Sequence, residues 1–495
     1  MDYKPSEFQK LTHNEILIKL GRYPISEKLN ILQKHSCALI SEGGLNIHRK
    51  NIIFPWELDT FLLLAINSNN NHTPLDFASK QGSKDFVNII NSIKHGLDPF
   101  KSESENVVGE ILTLIGMQQF PFQEDTFIKI YRYSFIFDET SIKEAFIKKF
   151  GCSYGELADF AYFIYFLMKY NHEFHDAITY KLNTTPNLTK TFAINIDELR
   201  TRQEKLTPDS IDYKFGLKLS QAYPIIESDG VYYLPLPHNF CYAATDSISH
   251  RLTSEGVERN SKLRNALGRA FELYVLHMLE ISKRHSGDEI VSAFKYKKTK
   301  SRELDTSDAI VHEQGSLLFF EAKLMSVPVQ VMNLDIDERK KITKRIAESI
   351  IQVYNRMNDY PKFYNPFPGV SVEKEERFGI VVALYDPYIL RDEIYAEVAE
   401  QLSQESDSLE MAYIRSNIVF CKIFDLEILY YYRSGVLDVL RKRRLNEVEW
   451  TNMTLLTESP PGKLIDSVNK HIGQFLGKIQ DEFVELKKKG IMKFG

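Results

Sequence analysis

Apolar residues recur at intervals of three and four positions through most of residues 1–210. The clearest example is the stretch 140–171, TSIKEAFIKKFGCSYGELADFAYFIYFLMKYN. Either Thr140 or Ser141 is suited to cap the first helix of this stretch. Residues three and four apart lie on one face of an α-helix, so this spacing gathers the apolar side chains into a buried stripe. The pattern predicts a mostly helical domain over residues 1–210.

The pattern changes over residues 211–258, where short apolar runs are interrupted by turn-forming residues. The segment YPIIESDGVYYLPLPHNF contains Ser-Asp-Gly between two such runs. Asp and Gly tolerate the positive φ angles that tight hairpin turns require. We therefore expect residues 211–258 to form a connector that contains a hairpin.

From residue 259 onward, helical and strand patterns alternate. Alternating or continuous apolar runs predict strands, and longer stretches with helical spacing predict helices. The predicted elements are a helix at 263–285, strands at 289–298, 307–313 and 316–325, a helix at 335–360, and strands at 377–386 and 416–425. This order predicts an α/β core over 259–430 and a helical extension over 431–495, which makes the whole chain a mixed α+β or α/β protein.

Composition adds expectations about size and compartment. A chain of 495 residues is too long for one typical core, and its 43% hydrophobic content is ordinary for a soluble protein. The four cysteines are far apart in sequence, which is typical of buried thiols in a reducing compartment. The N-terminus is polar and no run of 18 apolar residues occurs, so we expect a cytoplasmic protein without a membrane span.

The strand 316–325, SLLFFEAKLM, ends in two adjacent charges of opposite sign. Residues two apart in a strand point to the same face, so Glu321 and Lys323 share one. Asp308 lies on the preceding predicted strand, and a Gln-Gly turn at 314–315 joins the two. Antiparallel neighbours lie about 5 Å apart, so Asp308 and Glu321 can bind one Mg²⁺ ion, which proteins usually hold with one or two carboxylates.

A lysine beside such a metal suits phosphodiester hydrolysis. The Lys323 ammonium can orient an attacking water or stabilise the negative charge that develops on phosphorus. The ordinary alternative is that Glu321 and Lys323 form a plain ion pair at an edge strand. A second Glu-x-Lys, at 485–487, lies in a charge-rich helical tail and is typical of a solvated helix face.

Asp308, a turn and Glu321-Ala322-Lys323 at the end of an apolar strand resemble the PD-(D/E)XK nuclease superfamily. The resemblance covers residues 260–425 and implies a restriction-endonuclease-like core of a helix, a three-strand meander, a helix and a strand. It also implies site roles for Glu272, as an additional metal-binding carboxylate, and for Gln352. Ser307 stands where the motif's name has proline, and Asp305 is the rival for the aspartate role.

Two runs rich in basic residues flank this candidate site. The usual interpretation of such runs is a solvated charged face, and the net charge of −5 does not favour a nucleic-acid binder overall. Two runs beside one site nevertheless predict local binding of a polyanion. The predicted nucleic-acid-binding residues are Lys295, Lys297, Lys298, Lys300, Arg302, Lys344 and Arg345.

The resemblance implies an endonuclease that depends on Mg²⁺, with Mn²⁺ as a substitute. It favours DNA over RNA as the substrate, because most members of the superfamily act on DNA. A large helical partner domain resembles the arrangement in bacterial phage-defence effectors, which implies that residues 1–210 sense a trigger, assemble a homo-oligomer or bind a partner protein. The alternatives are a ribonuclease and a non-catalytic scaffold that binds nucleic acid or protein.

Overall fold

The computed structural model describes twelve segments of the chain: residues 10–41, 53–68, 75–96, 125–170, 175–203, 219–254, 261–283, 288–325, 336–385, 387–431, 435–445 and 463–491. The chain divides into two compact units. The first unit comprises Met1–Ser134, Thr140–Arg259 and Gly473–Gly495, and the second comprises Phe135–Glu139 and Asn260–Ile472. The predicted extension 431–495 is therefore shared between them.

The first unit is mainly helical. Its core is built from apolar side chains such as Leu20, Leu32, Phe61 and Ile89, each fully or almost fully buried. The helices that begin in this unit are His13–Leu20, Ile25–Ser41, Pro55–Asn67, Lys80–Gly96, Thr126–Phe137, Thr140–Phe150, Tyr154–Tyr170, His175–Thr184, Pro186–Phe192, Ile196–Gln203, Leu219–Ala222, Pro237–Ala243 and Asp246–Ser254.

A small sheet accompanies these helices. Strand β1 (Ala193–Asn195) pairs in parallel with β2 (Ile225–Ser228), and β2 pairs antiparallel with β3 (Val231–Tyr233). Asp229 and Gly230 form the turn between β2 and β3 with φ angles of 51° and 77°. The Ser-Asp-Gly sequence thus closes a hairpin, because both turn residues adopt the left-handed conformation that Asp and Gly tolerate best.

The second unit combines helices with two sheets, so the chain as a whole is a mixed α+β protein. Its strands are β4 (Glu289–Ser292), β5 (Lys295–Lys297), β6 (Glu303–Asp305), β7 (Ala309–Glu313), β8 (Ser316–Lys323), β9 (Arg377–Ala383) and β10 (Ile418–Lys422). Its helices are Ser261–Ile281, Ile336–Asp359, Arg391–Leu402, Leu409–Asn417, Ile423–Tyr431, Val436–Arg444 and the first part of Lys463–Lys488.

The main sheet of this unit has the strand order β10-β9-β8-β7-β4, with β8 in the centre. β4, β7 and β8 pair antiparallel, whereas β8, β9 and β10 pair in parallel. Strands β5 and β6 form a separate two-stranded sheet. The prediction of one strand over 289–298 is wrong, because this segment forms two strands, β4 and β5, that belong to different sheets. Strand β6 was not predicted.

The sheet's central strands are buried. Leu317, Leu318, Phe319 and Phe320 of β8 are all fully buried, as the continuous apolar run predicts. The helix Ile336–Asp359 packs on the sheet through Ile346, Ile350 and Val353, which recur at helical spacing and are also fully buried. This packing makes β8 a rigid support for the residues at its end. No helix among the described residues is long and apolar enough to cross a bilayer.

Gly379 of β9 lies where this helix approaches the sheet most closely. A Cβ atom at this position would lie 2.4 Å from Val353 Cγ1 and 3.1 Å from Met357 Sδ. Because the helix would have to move away, we expect Gly379→Ala to lower the free energy of unfolding by about 1–3 kcal/mol. Thermal unfolding followed by circular dichroism measures this change.

Gly268→Ala is the matched control for that variant. Gly268 lies inside the helix Ser261–Ile281, and a Cβ atom there would meet no atom of the described segments within 4 Å. We expect alanine to raise the free energy of unfolding by about 0.5–1 kcal/mol, because glycine is a poor helix former. Equal melting temperatures for the two variants would contradict the close packing at Gly379.

Candidate active site

Asp308 and Glu321 are brought together by the register of the β7–β8 hairpin. Ala309 pairs with Phe320, and continuing this register by one residue places Asp308 opposite Glu321. The turn at Gln314 and Gly315, with φ angles of 47° and 77°, fixes the register. Side chains that lie opposite each other in an antiparallel pair share a face, so the two carboxylates converge.

The Asp308 carboxylate is held against the end of β8. Its Oδ2 atom accepts a hydrogen bond of 2.7 Å from the backbone N–H of Ala322. Burial raises the pKa of Asp308 from 3.8 to about 7, and the negative charges of Glu321 and Glu272 act in the same direction. The Ala322 N–H and the Lys323 ammonium oppose this rise without cancelling it. Without a cation, Asp308 is therefore protonated more readily than an exposed aspartate.

Glu321 is the most buried member of the site, with a side chain only 3% exposed. Its Oε1 atom accepts hydrogen bonds from Lys323 Nζ at 2.6 Å and from Gln352 Nε2 at 2.7 Å. Its Oε2 atom is buried and has no hydrogen-bond partner among the residues that the structure describes. A buried carboxylate oxygen without a donor is costly, so this atom marks a place where a cation would be favourable.

Lys323 occupies the rim of the same cluster. Its side chain is 31% exposed, so the ammonium reaches both the buried Glu321 and solvent. Gln352, on the helix Ile336–Asp359, accepts a weak hydrogen bond of 3.4 Å from Lys323 through its Oε1 atom. Gln352 thus contacts both charged residues and positions them relative to each other.

Glu272, on the helix Ser261–Ile281, approaches the cluster from another direction. Its side chain is exposed and forms no described hydrogen bond to the cluster, yet it is close enough to interact electrostatically with it. Partial desolvation raises the pKa of Glu272, and the negative charge of Glu321 raises it further. The positive charges of Lys323 and Arg269 partly offset this rise. The structure thus gathers all five predicted catalytic residues. Asp305, the rival for the aspartate role, pairs with Lys295 in the separate β5–β6 sheet.

The donor set fits a hard divalent cation. Asp308 and Glu321 supply carboxylate oxygens, which are the ligands Mg²⁺ prefers, and Mg²⁺ keeps several waters rather than a complete protein shell. Within the described segments, no group of three or more His, Cys, Asp and Glu side chains forms a full metal-binding cluster. Two carboxylates, one of them with a buried oxygen that has no partner among the described residues, would fit a partly hydrated ion.

A pocket of about 310 Å³ opens directly beside Lys323. Of the predicted nucleic-acid-binding residues, only Arg345 is among the residues that line it. Lys298 instead forms an ion pair of 2.6 Å with the buried Asp359, and Lys295 lies 3.6 Å from Glu303. The other predicted residues are exposed and do not line the pocket: Lys297, Lys300, Arg302 and Lys344.

Arg264 also lines the pocket, although the sequence did not single it out. Helical spacing is the sequence feature that could have indicated Arg264. Arg264, Gly268 and Glu272 follow one another at intervals of four residues and so share one face of the helix. Arg345 and Gln352 are likewise seven residues apart on one face of their helix. Each of the two helices therefore presents an arginine and a predicted site residue on the same face.

Comparisons of the chain with protein-family models, with curated proteins and with solved structures found no match. DNA as the substrate and a role in phage defence therefore stay predictions. The chemistry of the site itself is the basis for assigning a function.

Proposed function

We propose that this protein is a metal-dependent nuclease that hydrolyses phosphodiester bonds in nucleic acid, with DNA favoured over RNA. The observation that carries the proposal is the convergence of Asp308, Glu321 and Lys323 at the end of the central strand. One buried oxygen of Glu321 there has no partner within the described part of the chain. A plain surface ion pair would not need a second carboxylate or a buried glutamate.

The topology of the second unit supports the resemblance to the PD-(D/E)XK superfamily. A helix precedes the antiparallel strands β4, β7 and β8, a helix follows them, and β9 then pairs in parallel with β8. Glu321 and Lys323 lie at the end of β8, the middle strand of five. This order of elements supports a nuclease core of that type, with the β5–β6 pair as an addition between β4 and β7.

Each residue has a distinct role in the proposal. Asp308 and Glu321 would hold Mg²⁺, which when bound stabilises charge on phosphorus and makes water a better nucleophile. The Lys323 ammonium, with access to both the carboxylate and solvent, orients the attacking water and stabilises developing negative charge. Gln352 is a positioning residue, since it fixes Glu321 and Lys323 through hydrogen bonds.

A panel of matched substrates tests this function. Labelled single-stranded DNA, duplex DNA and RNA of one sequence are incubated with the full chain in Mg²⁺, in Mn²⁺ or in EDTA. We expect cleavage of DNA in either metal and none in EDTA. Cleavage of RNA alone would favour the ribonuclease alternative, and binding without cleavage of any substrate would favour the non-catalytic scaffold.

Glu272→Gln is expected to have a smaller effect than loss of a central residue. Glu272 influences the charge of the cluster but makes no described hydrogen bond to it. We expect the cleavage rate to fall roughly tenfold at limiting Mg²⁺, with partial recovery when Mg²⁺ is raised, because a nearby carboxylate tunes metal affinity. Initial rates across a Mg²⁺ series measure this, and a rate unchanged at every concentration would exclude the role.

A further inference from the structure

The pocket beside Lys323 contains features that the hydrolytic reaction does not require. It is lined by Arg264 from one helix and Arg345 from another. Neither guanidinium forms an ion pair or hydrogen bond with another described residue. Unpaired arginines at the mouth of a pocket are well suited to bind an anion, because the planar guanidinium matches phosphate geometry and also stacks on bases.

The rest of the lining is suited to a flat, partly apolar group. Leu324, Met325, Ile342 and Pro387 contribute apolar surface, and Glu348 and Gln352 contribute groups that accept or donate hydrogen bonds. This combination of apolar walls and a few polar groups is typical of small-molecule sites. A volume of about 310 Å³ lies at the low end for such sites and is about the size of one nucleotide.

Gly268 lies one helical turn from both Arg264 and Glu272. Among the described residues, no atom lies within 4 Å of the position that a Cβ of Gly268 would take. Glycine inside a helix costs about 0.5–1 kcal/mol relative to alanine, and no internal contact at Gly268 requires it. As far as the described residues show, this face leaves room for a nucleic-acid strand to pass between the site carboxylate and the pocket arginine.

Resting on the proposed nuclease function, we propose that this pocket binds one unpaired nucleotide next to the phosphate to be cut. Arg264 and Arg345 contact its phosphate and base face, and the apolar wall receives the base. The substrate class is therefore nucleic acid with unpaired nucleotides, such as single strands or frayed ends. Continuous duplex would first have to unpair a base, which costs a few kcal/mol.

Binding measured in EDTA tests the pocket independently of cleavage. The probes are a fluorescein-labelled single-stranded DNA oligonucleotide, the same sequence as a blunt duplex, and thymidine 5′-monophosphate as a competitor. The variants are Arg345→Gln and, as the control, Lys340→Gln. Lys340 is an exposed cation on the same helix and does not line the pocket. Melting temperatures establish that both variants fold.

We expect wild type to bind the single strand more tightly than the duplex, and the mononucleotide to compete with the single strand. Arg345→Gln should weaken single-strand binding at least about tenfold, the size of one lost stacking or bidentate contact, and duplex binding much less. Lys340→Gln should change both less than threefold. The inference would be overturned if Arg345→Gln lost equal affinity for the single strand and the duplex, or if it lost no affinity for either. Absence of cleavage with this binding pattern intact would instead overturn only the proposed nuclease function.

Discussion

Lys323→Ala is expected to reduce metal-dependent DNA cleavage by at least about 100-fold, because it removes the only group in the described cluster that can both orient water and neutralise developing charge. Substrate binding should persist, since the arginines of the pocket are unchanged. Cleavage assays with excess enzyme, paired with anisotropy measurements in EDTA, separate the two effects.

This variant also leaves Glu321 with one fewer donor in a buried position, which destabilises the fold. Lys323→Gln is therefore a necessary companion, because its amide can still donate to Glu321 while lacking the positive charge. Lys340→Ala controls for the loss of a lysine on the surface of the same unit. If Lys323→Gln melts like wild type and still cleaves at the wild-type rate, Lys323 has no catalytic role.

Asp308→Asn is expected to abolish cleavage and at the same time stabilise the metal-free protein. The pKa of Asp308 is raised to about 7 in the native state, chiefly by burial, so between pH 4 and pH 7 the native state binds more protons than the unfolded state. Stability contributed by the protonated carboxyl is therefore lost as the pH rises through this window. Asparagine remains neutral and can still accept the Ala322 N–H bond.

The melting temperatures of wild type and Asp308→Asn should therefore diverge as the pH increases. Between pH 5 and pH 7 the difference between their free energies of unfolding should grow by about 2 kcal/mol, which corresponds to several degrees in melting temperature. Thermal unfolding in EDTA at pH 5, 6, 7 and 8 measures it. Added Mg²⁺ should narrow the gap by stabilising wild type alone, because a ligand stabilises the state that binds it. If the melting temperatures of the two proteins differed by the same amount at every pH, Asp308 would not be a buried carboxylate with a raised pKa.

The central hairpin could be predicted from the sequence because its signals are local. A continuous apolar run, a Gln-Gly turn and the alternation of strand faces place Glu321 and Lys323 together. Asp308 follows from the same hairpin, and Glu272 and Gln352 follow from the resemblance. The hairpin predictions needed only short-range periodicity, whereas the roles of Glu272 and Gln352 needed the family resemblance as well.

Other features depend on contacts between residues that are distant in sequence. The strand at 289–298 is divided because the Phe294 N–H donates to Thr306 Oγ1, while Ala293 pairs with Asp308. The apolar alternation continues through this break, so the sequence contains no sign of it. Lys298 donates a hydrogen bond to Asp359, which is 61 residues away in sequence. Arg264 lines the pocket only because the helices Ser261–Ile281 and Ile336–Asp359 both lie against β8.

The position of β8 has a consequence for synthesis on the ribosome. Its hairpin partner β7 is made first, but β9, its other neighbour, follows only after the helix Ile336–Asp359. Until β9 emerges, the apolar edge of β8 has no parallel partner and is open to aggregation. We expect nascent chains that stop before residue 377 to be poorly soluble, because the site at the end of β8 lacks its parallel support until β9 has been made.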